Sequence, residues 1–198
     1  MITRRIILGF FLLCFALAGT GAITGTSAYA AKNAAAIKQM KRIANALRNA
    51  QNVGTRSAFR NVIRKYADIP TIANYSLGRY KSKLKKSRRS RYYRGVQAFM
   101  GRYFSNESRR YKVANTTINS NVKKDGKEVL VSTKIKLTSG TTYNVEWRLA
   151  KRRSGFKITD VKVLGFSMTY LQRGMFTSYV RKKDGSVEEL ITALNRHY

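Results

Sequence analysis

The chain has 198 residues, with 40 lysines and arginines against 9 acids, one histidine and one cysteine, for a formal net charge of +31. Its hydrophobic fraction of 43% and aromatic fraction of 11% are those of a folded protein, so the charge reads as the coat of a globular body rather than the mark of a disordered chain. So few histidines and cysteines argue against a transition-metal centre, and neither a metal nor another cofactor is expected.

The first thirty residues have the three parts of a cleavable secretory signal. They are Arg4 and Arg5, an apolar stretch from Ile6 to Ala18, and a small-residue site at Ala28-Tyr29-Ala30. The apolar stretch is shorter than the roughly 20 residues of a spanning helix, and Gly19, Gly21 and Gly25 follow it, which sets the cleaved reading above an anchor. Thr3-Arg4-Arg5-Ile6-Ile7-Leu8 also resembles a twin-arginine motif, so the export route stays open. Cys14 lies inside the apolar stretch and leaves with the signal. What remains, residues 31–198, is read as one domain without cysteine, its net charge lowered from +31 to +29 by the loss of Arg4 and Arg5. Its stability must come from an ordinary core, even in an oxidising compartment.

From Lys32 to Ala50 the residues Ile37, Met40, Ala44 and Leu47 recur at helical spacing among basic residues, which predicts an amphipathic helix. A second helix carries Phe59, Val62, Ile63 and Tyr66, and Pro70 separates it from a short one around Ile72, Tyr75 and Leu77. The clearest helix runs from Arg88 to Phe104, with Tyr92, Val96, Phe99, Met100 and Tyr103 on one stripe. Beyond Tyr111 the period becomes two. Val129, Val131, Thr133, Ile135 and Leu137 share one face, and Tyr143, Val145, Trp147 and Leu149 repeat the pattern. Asp125-Gly126, Ser139-Gly140 and Ser154-Gly155 supply turns for an antiparallel meander. In the last strand Phe156 and Ile158 are out of phase with Val161 and Val163, which calls for a bulge near Thr159 and Asp160. Two helices close the chain, one with Met168, Leu171, Met175 and Tyr179, the other opened by a Ser186–Glu189 capping box. The pattern is α+β: a helical layer on a four-stranded antiparallel meander sheet, in one domain.

Catalytic patterns fail on inspection. The glycines from Gly19 to Gly25 lie in the signal with no strand leading into them. Gly165-Phe166-Ser167-Met168-Thr169 has threonine where a nucleophile elbow needs glycine, and His197, the only histidine, is one residue from the end. No catalytic residue is assigned and the chain is not read as an enzyme. The basic run from Arg79 to Arg94, interleaved with Tyr80, Tyr92 and Tyr93, admits three readings: a solvated face, a nucleic-acid surface, or a surface attracted to anionic membrane. Export disfavours nucleic acid. Lys83, Lys85, Lys86, Arg88 and Arg89 are the candidate membrane-surface residues.

Tyr143-Asn144-Val145-Glu146-Trp147-Arg148, then Gly155-Phe156-Lys157-Ile158-Thr159-Asp160-Val161, then Gly165-Phe166-Ser167-Met168 running to Gln172-Arg173 and Phe176, resembles the MlaC-like, toluene-tolerance family of periplasmic phospholipid-binding proteins. Upstream, Asp68-Ile69-Pro70 through Leu77-Gly78-Arg79-Tyr80 is similar to the family's helix ending in L-G-(R/K)-Y, with Lys81 where tryptophan is common; Phe166 replaces a usual valine. The resemblance implies an apolar lipid pocket between sheet and helices, and a shuttle passing phospholipid between an inner-membrane ABC transporter complex and an outer-membrane lipoprotein complex. Carriage of another apolar lipid such as a hopanoid, or a basic surface-binding module with a closed core, are the alternatives. The residues expected to line the pocket are Tyr75, Phe99, Tyr103, Val145, Trp147, Ile158, Val161, Phe166, Met168 and Phe176, with Leu47 in the first helix as a comparison position outside it. Periodicity fixes which face is buried and leaves open whether that face is packed or hollow.

Overall fold

The computed structural model describes residues 24–196. The arginine pair, apolar stretch and Cys14 of the expected signal, and His197, lie outside the described residues. The expected cleavage site at Ala28-Tyr29-Ala30 falls within the backbone of the first helix.

Among the described residues six α-helices and six strands follow in chain order: α1 Thr24–Val53, α2 Arg56–Tyr66, α3 Ile69–Ser76, α4 Arg89–Arg110, β1 Val113–Ile118, β2 Lys123–Asp125, β3 Glu128–Leu137, β4 Thr142–Arg152, β5 Gly155–Val163, β6 Phe166–Ser167, α5 Met168–Arg181 and α6 Val187–Asn195, with short 3-10 helices at Gly78–Lys83 and Lys86–Arg88. Local chemistry sets the boundaries. Gly54, at φ +70, closes α1 in a left-handed turn with its amide on the Ala50 carbonyl at 2.8 Å, and the Thr55 side chain then caps α2 by accepting from the Ala58 amide. Asp68, Ser167 and Ser186 cap α3, α5 and α6 in the same way, the last as its sequence predicts.

The sheet is wider than the four strands expected. Its order is β1-β3-β4-β5-β6, and β2 pairs with the same β3 strand as β1, continuing its line after the Asn119–Val122 loop. β1 escapes the periodicity because its Val-Ala-Asn-Thr-Thr-Ile sequence alternates weakly, and β6 is only two residues long. All pairings are antiparallel. The bulge is where the phase change places it: the β4–β5 register passes from Arg148↔Asp160 to Leu149↔Ile158, leaving Thr159 as the extra residue. Ile158 and Val161 therefore turn to the same, helix-facing side.

Burial is divided between two cores. One lies between α1 and the sheet, where Ala36, Met40 and Ile43 meet Val129, Val131, Leu149 and Phe156. The other is all-helical, with Ile72, Leu77, Tyr92, Val96, Phe176, Val180 and Ile191 from α3 to α6. Open space lies between them, bordered by members of both, among them Ile63 and Ile72 from the one and Met40 and Trp147 from the other.

Candidate functional site

Two adjoining chambers occupy the gap between the cores. The inner one, about 360 Å³, lies under β5 and is walled by α2, α3, α4 and α5 through Val62, Ile63, Ile72, Phe99, Met100, Ile158 and Met175. The outer one, about 580 Å³, runs along the inner face of the sheet beneath α1 and α4, from Val113 and Thr116 on β1 to Phe166 on β6. Leu47, Tyr103, Phe104, Trp147, Val161, Met168 and Leu171 line both. Each is within the size range of a small-molecule pocket, about 300–1,000 Å³.

The inner chamber is apolar in effect as well as in composition, because Asp160, Thr169 and Gln172 are hydrogen-bonded to the protein. Gln172 donates to the Ser76 hydroxyl at 2.8 Å, and Ser76 donates to the Ile72 carbonyl at 2.8 Å. Asp160 accepts from the Thr169 amide at 3.1 Å, while the Thr169 hydroxyl donates to the Thr159 carbonyl. Trp147 turns its indole N–H into the sheet, onto Thr133, and leaves its ring to the chambers. Such a space offers water few partners and suits alkyl chains.

The mouth is equally apolar. β5 and β6 are joined by a two-residue loop in which Leu164, at φ +52, and Gly165, at φ +84, both take left-handed conformations. This hairpin geometry ordinarily selects Asn-Gly. Leu164 and Phe166 are 62% and 66% exposed, and Tyr170, Leu171 and Met175 continue the exposed apolar surface along α5.

Eight of the ten expected pocket residues line the chambers: Phe99, Tyr103, Val145, Trp147, Ile158, Val161, Phe166 and Met168. Two do not. Tyr75 lies on the outside of α3 beneath the Arg173 guanidinium, 5.0 Å from its ring centre. Phe176 fills the helical core, packed edge-on against Phe99 at 5.2 Å. Leu47, expected outside the pocket, lines both chambers, because α1 crosses the sheet instead of standing apart from it. Also unforeseen are the contributions of Met40, Ala44, Phe59, Val62, Leu171 and Met175; helical spacing placed all six on apolar stripes without showing that the surface they face is hollow.

Tyr103, where the chambers meet, has its phenol pKa raised above the ordinary 10, first by burial and then by the neighbouring Glu107 and Tyr111. The basic run lies elsewhere. Lys83 reaches the Gly185 carbonyl, and Arg88 makes a two-pronged contact with Glu188, at 2.9 and 2.5 Å, where α6 begins. This is the far end of α5 from the mouth, about 20 Å along a 14-residue helix. Lys85, Lys86 and Arg89 are exposed. Among the described residues no helix is long and apolar enough to cross a membrane, and no group of three or more His, Cys, Asp or Glu is placed to hold a metal ion.

A helical layer and an antiparallel sheet that hold a divided apolar chamber between two cores define the fold as α+β with an internal apolar cavity. The family described as MlaC protein matches residues 34–196, and the chain belongs to that family. No curated protein matches it. Among solved structures it is similar to the phospholipid-binding protein from Ralstonia solanacearum, determined in complex with a phospholipid, at 17% identity and a TM-score of 0.62 over 79% of this chain and 92% of that one.

Proposed function

We propose that the protein is a periplasmic phospholipid-binding shuttle, taking a phospholipid from one membrane complex and handing it to another. The partners would be an inner-membrane ABC transporter complex and an outer-membrane lipoprotein complex. The observation that carries the reading is the pair of adjoining, largely apolar chambers, the inner one with Asp160, Thr169 and Gln172 already hydrogen-bonded. Membership of the MlaC family supports it, as does the fold shared with a protein solved with phospholipid.

The physical need is large. A diacyl lipid with roughly thirty methylenes loses on the order of 25 kcal/mol on entering water, at about 0.8 kcal/mol for each. A carrier must therefore enclose the tails, and it makes or breaks no bond. The gap between the cores favours a carrier over a surface-binding module with a closed core. The signal at residues 1–30, cleaved near Ala30, would deliver the domain to the periplasm. Mass spectrometry of the purified protein is expected to find co-purified phospholipid. Finding none, together with no uptake of labelled phospholipid from vesicles, would end the reading.

A further inference from the structure

The outer chamber is apolar along most of its length and polar at one end, beside the β1 edge of the sheet. There the last turns of α1 and α4 meet the start of β1, held by Gln51, which donates to the Val113 carbonyl at 3.1 Å and accepts from the Val113 amide at 2.9 Å. Gln51 is thus committed to the fold. So is the Ser108 hydroxyl, which donates to the Ser105 carbonyl.

Two charged side chains in the same wall are not committed in this way. Among the described residues Arg48, one turn before Gln51 on α1, is the only basic residue lining either chamber. It is exposed and forms no ion pair among the described residues, although the chain offers acids elsewhere that pair with other arginines. Glu107 on α4 is half-buried in the same wall, and its only ion pair is a 3.7 Å contact with the exposed Arg110. Arg48 and Glu107 do not pair with each other. They leave one positive and one negative group facing the same space.

We propose that this end of the outer chamber is a headgroup subsite for a zwitterionic phospholipid, with the Arg48 guanidinium on the phosphate and the Glu107 carboxylate on the cationic amine. The inference rests on the carrier reading and adds a headgroup class to it. A guanidinium matches phosphate oxygens in a two-pronged fork, and a carboxylate accepts from an ammonium, so both halves of the headgroup find a complementary charge. The tails then run from this end toward Trp147 and on into the inner chamber. Net charge alone would favour the more anionic lipid for a chain of +31; the local pair selects differently.

The test is competitive loading. The purified protein, stripped of lipid, is equilibrated with vesicles of equal parts dioleoyl phosphatidylethanolamine and dioleoyl phosphatidylglycerol, and separately with vesicles containing dioleoylglycerol. Bound lipid is counted by mass spectrometry. The ethanolamine lipid is expected in about threefold excess, the scale of an ion pair at a partly exposed site. Glu107→Gln should bring that ratio to about one. Arg48→Gln should lower both phospholipids about threefold and leave dioleoylglycerol, which lacks phosphate, unchanged. The proposal is overturned by equal or greater glycerol-lipid loading in the wild-type protein, by an unchanged ratio in Glu107→Gln, or by loss of dioleoylglycerol along with the phospholipids in Arg48→Gln. Failure of the wild-type protein to take up any of the three lipids overturns the carrier reading itself, and the subsite with it.

Discussion

Trp147 donates its indole N–H to the Thr133 hydroxyl at 3.0 Å, one strand away on β3, and Thr133 in turn donates to the Val145 carbonyl at 3.4 Å. The bond lets a large ring line an apolar chamber without exposing a polar atom to it. Thr133 is 2% exposed, so Thr133→Val strands the indole donor in the interior and should cost about 1–3 kcal/mol. Thr133→Ser keeps the acceptor and loses one methyl, so it should cost about 1 kcal/mol or less. Urea unfolding, followed by the emission of the single tryptophan, measures both. Equal losses in the two variants would show that the bond contributes nothing.

Filling the chambers and emptying the core should have opposite signatures. Val161 lines both chambers and pairs with Trp147 across β4 and β5. Val161→Phe adds atoms where there is space, so lipid content per folded molecule should fall while the lipid-free protein stays within about 1 kcal/mol of the wild type. Phe176→Ala removes a ring from the filled helical core and should cost about 3–5 kcal/mol, with lipid content per folded molecule nearly unchanged. Thermal melts and lipid analysis of the same samples separate the two. If Phe176→Ala lost its lipid and Val161→Phe kept it, the chambers would not be the binding site.

The contrast between Val161 and Phe176 shows what was legible in the sequence. Period-two and helical spacing gave the buried faces of β3, β4 and β5 and the Tyr92–Val96 part of α4, and the mismatch between Ile158 and Val161 even located the bulge. On α5 the expected stripe is not the buried one: Leu171 and Met175 are 47% and 50% exposed, and Thr169, Gln172, Phe176 and Val180 are buried instead, because Gln172 and Thr169 carry their polar groups inward on hydrogen bonds. Spacing could not tell a filled gap from an empty one: Tyr92 and Phe99 lie on one expected stripe, and only Phe99 borders a chamber, while Phe176, named through the resemblance, fills the helical core. Tyr75 misled for a related reason. An aromatic on a short helix looks buried by its spacing, but its partner is the Arg173 side chain on the outside. Leu47 and Leu171 were readable as apolar and not as lining, since that depends on where α1 and α5 cross the sheet.

The basic run is separated from the mouth by the length of α5, which divides attraction to membranes from retention of ligand. Replacing Lys83, Lys85, Lys86, Arg88 and Arg89 by Ser should weaken association with anionic vesicles at low salt, each exposed charge contributing about 1 kcal/mol near such a surface. Ligand already bound should stay. Arg88→Ser alone should also lower stability modestly, about 0.5–1 kcal/mol, because it breaks the half-exposed contact with Glu188 that ties the loop to α6. Vesicle sedimentation at two salt concentrations reads the first effect. Unchanged sedimentation of the five-fold variant would reduce the run to a solvating face.

Tyr92 makes stability fall in alkali. Its phenol is fully buried, donates to the Ala73 carbonyl at 2.8 Å, and has its pKa raised above the ordinary 10, first by burial and then by Tyr93. Above pH 10 the unfolded chain releases a proton that the folded chain retains, so the stability conferred by this group is whole below pH 10 and is lost as pH rises further. The slope for one proton is about 1.4 kcal/mol per pH unit. Tyr92→Phe should be less stable at pH 7, by about 1 kcal/mol for the lost bond, and should shed that part of the alkaline slope. Its denaturation midpoint is then expected to meet that of the wild type near pH 11. Parallel profiles from pH 8 to 11 would show that another group sets the slope.

Leu164 is a branched residue held at φ +52, a conformation that costs roughly 1–2 kcal/mol outside glycine and that asparagine tolerates better. Its amide donates to the Asn144 carbonyl at 3.4 Å, but its side chain is 62% exposed and adds little to the fold. Strain at an exposed apolar side chain points to a role in contacts outside the protein. It stands beside Phe166 in the exposed apolar wall of the outer chamber, a surface that an acyl chain in transfer would meet. Leu164→Asn should therefore raise stability, by up to about 1 kcal/mol, while slowing the uptake of labelled phospholipid from vesicles. Equilibrium occupancy should change little, because Leu164 is one largely exposed residue of a long apolar wall. Stopped-flow transfer kinetics beside an equilibrium titration reads both quantities. A variant that gains stability and loads at the wild-type rate would leave Leu164 without a role at the mouth, and a variant that loses occupancy would make it part of the binding surface instead.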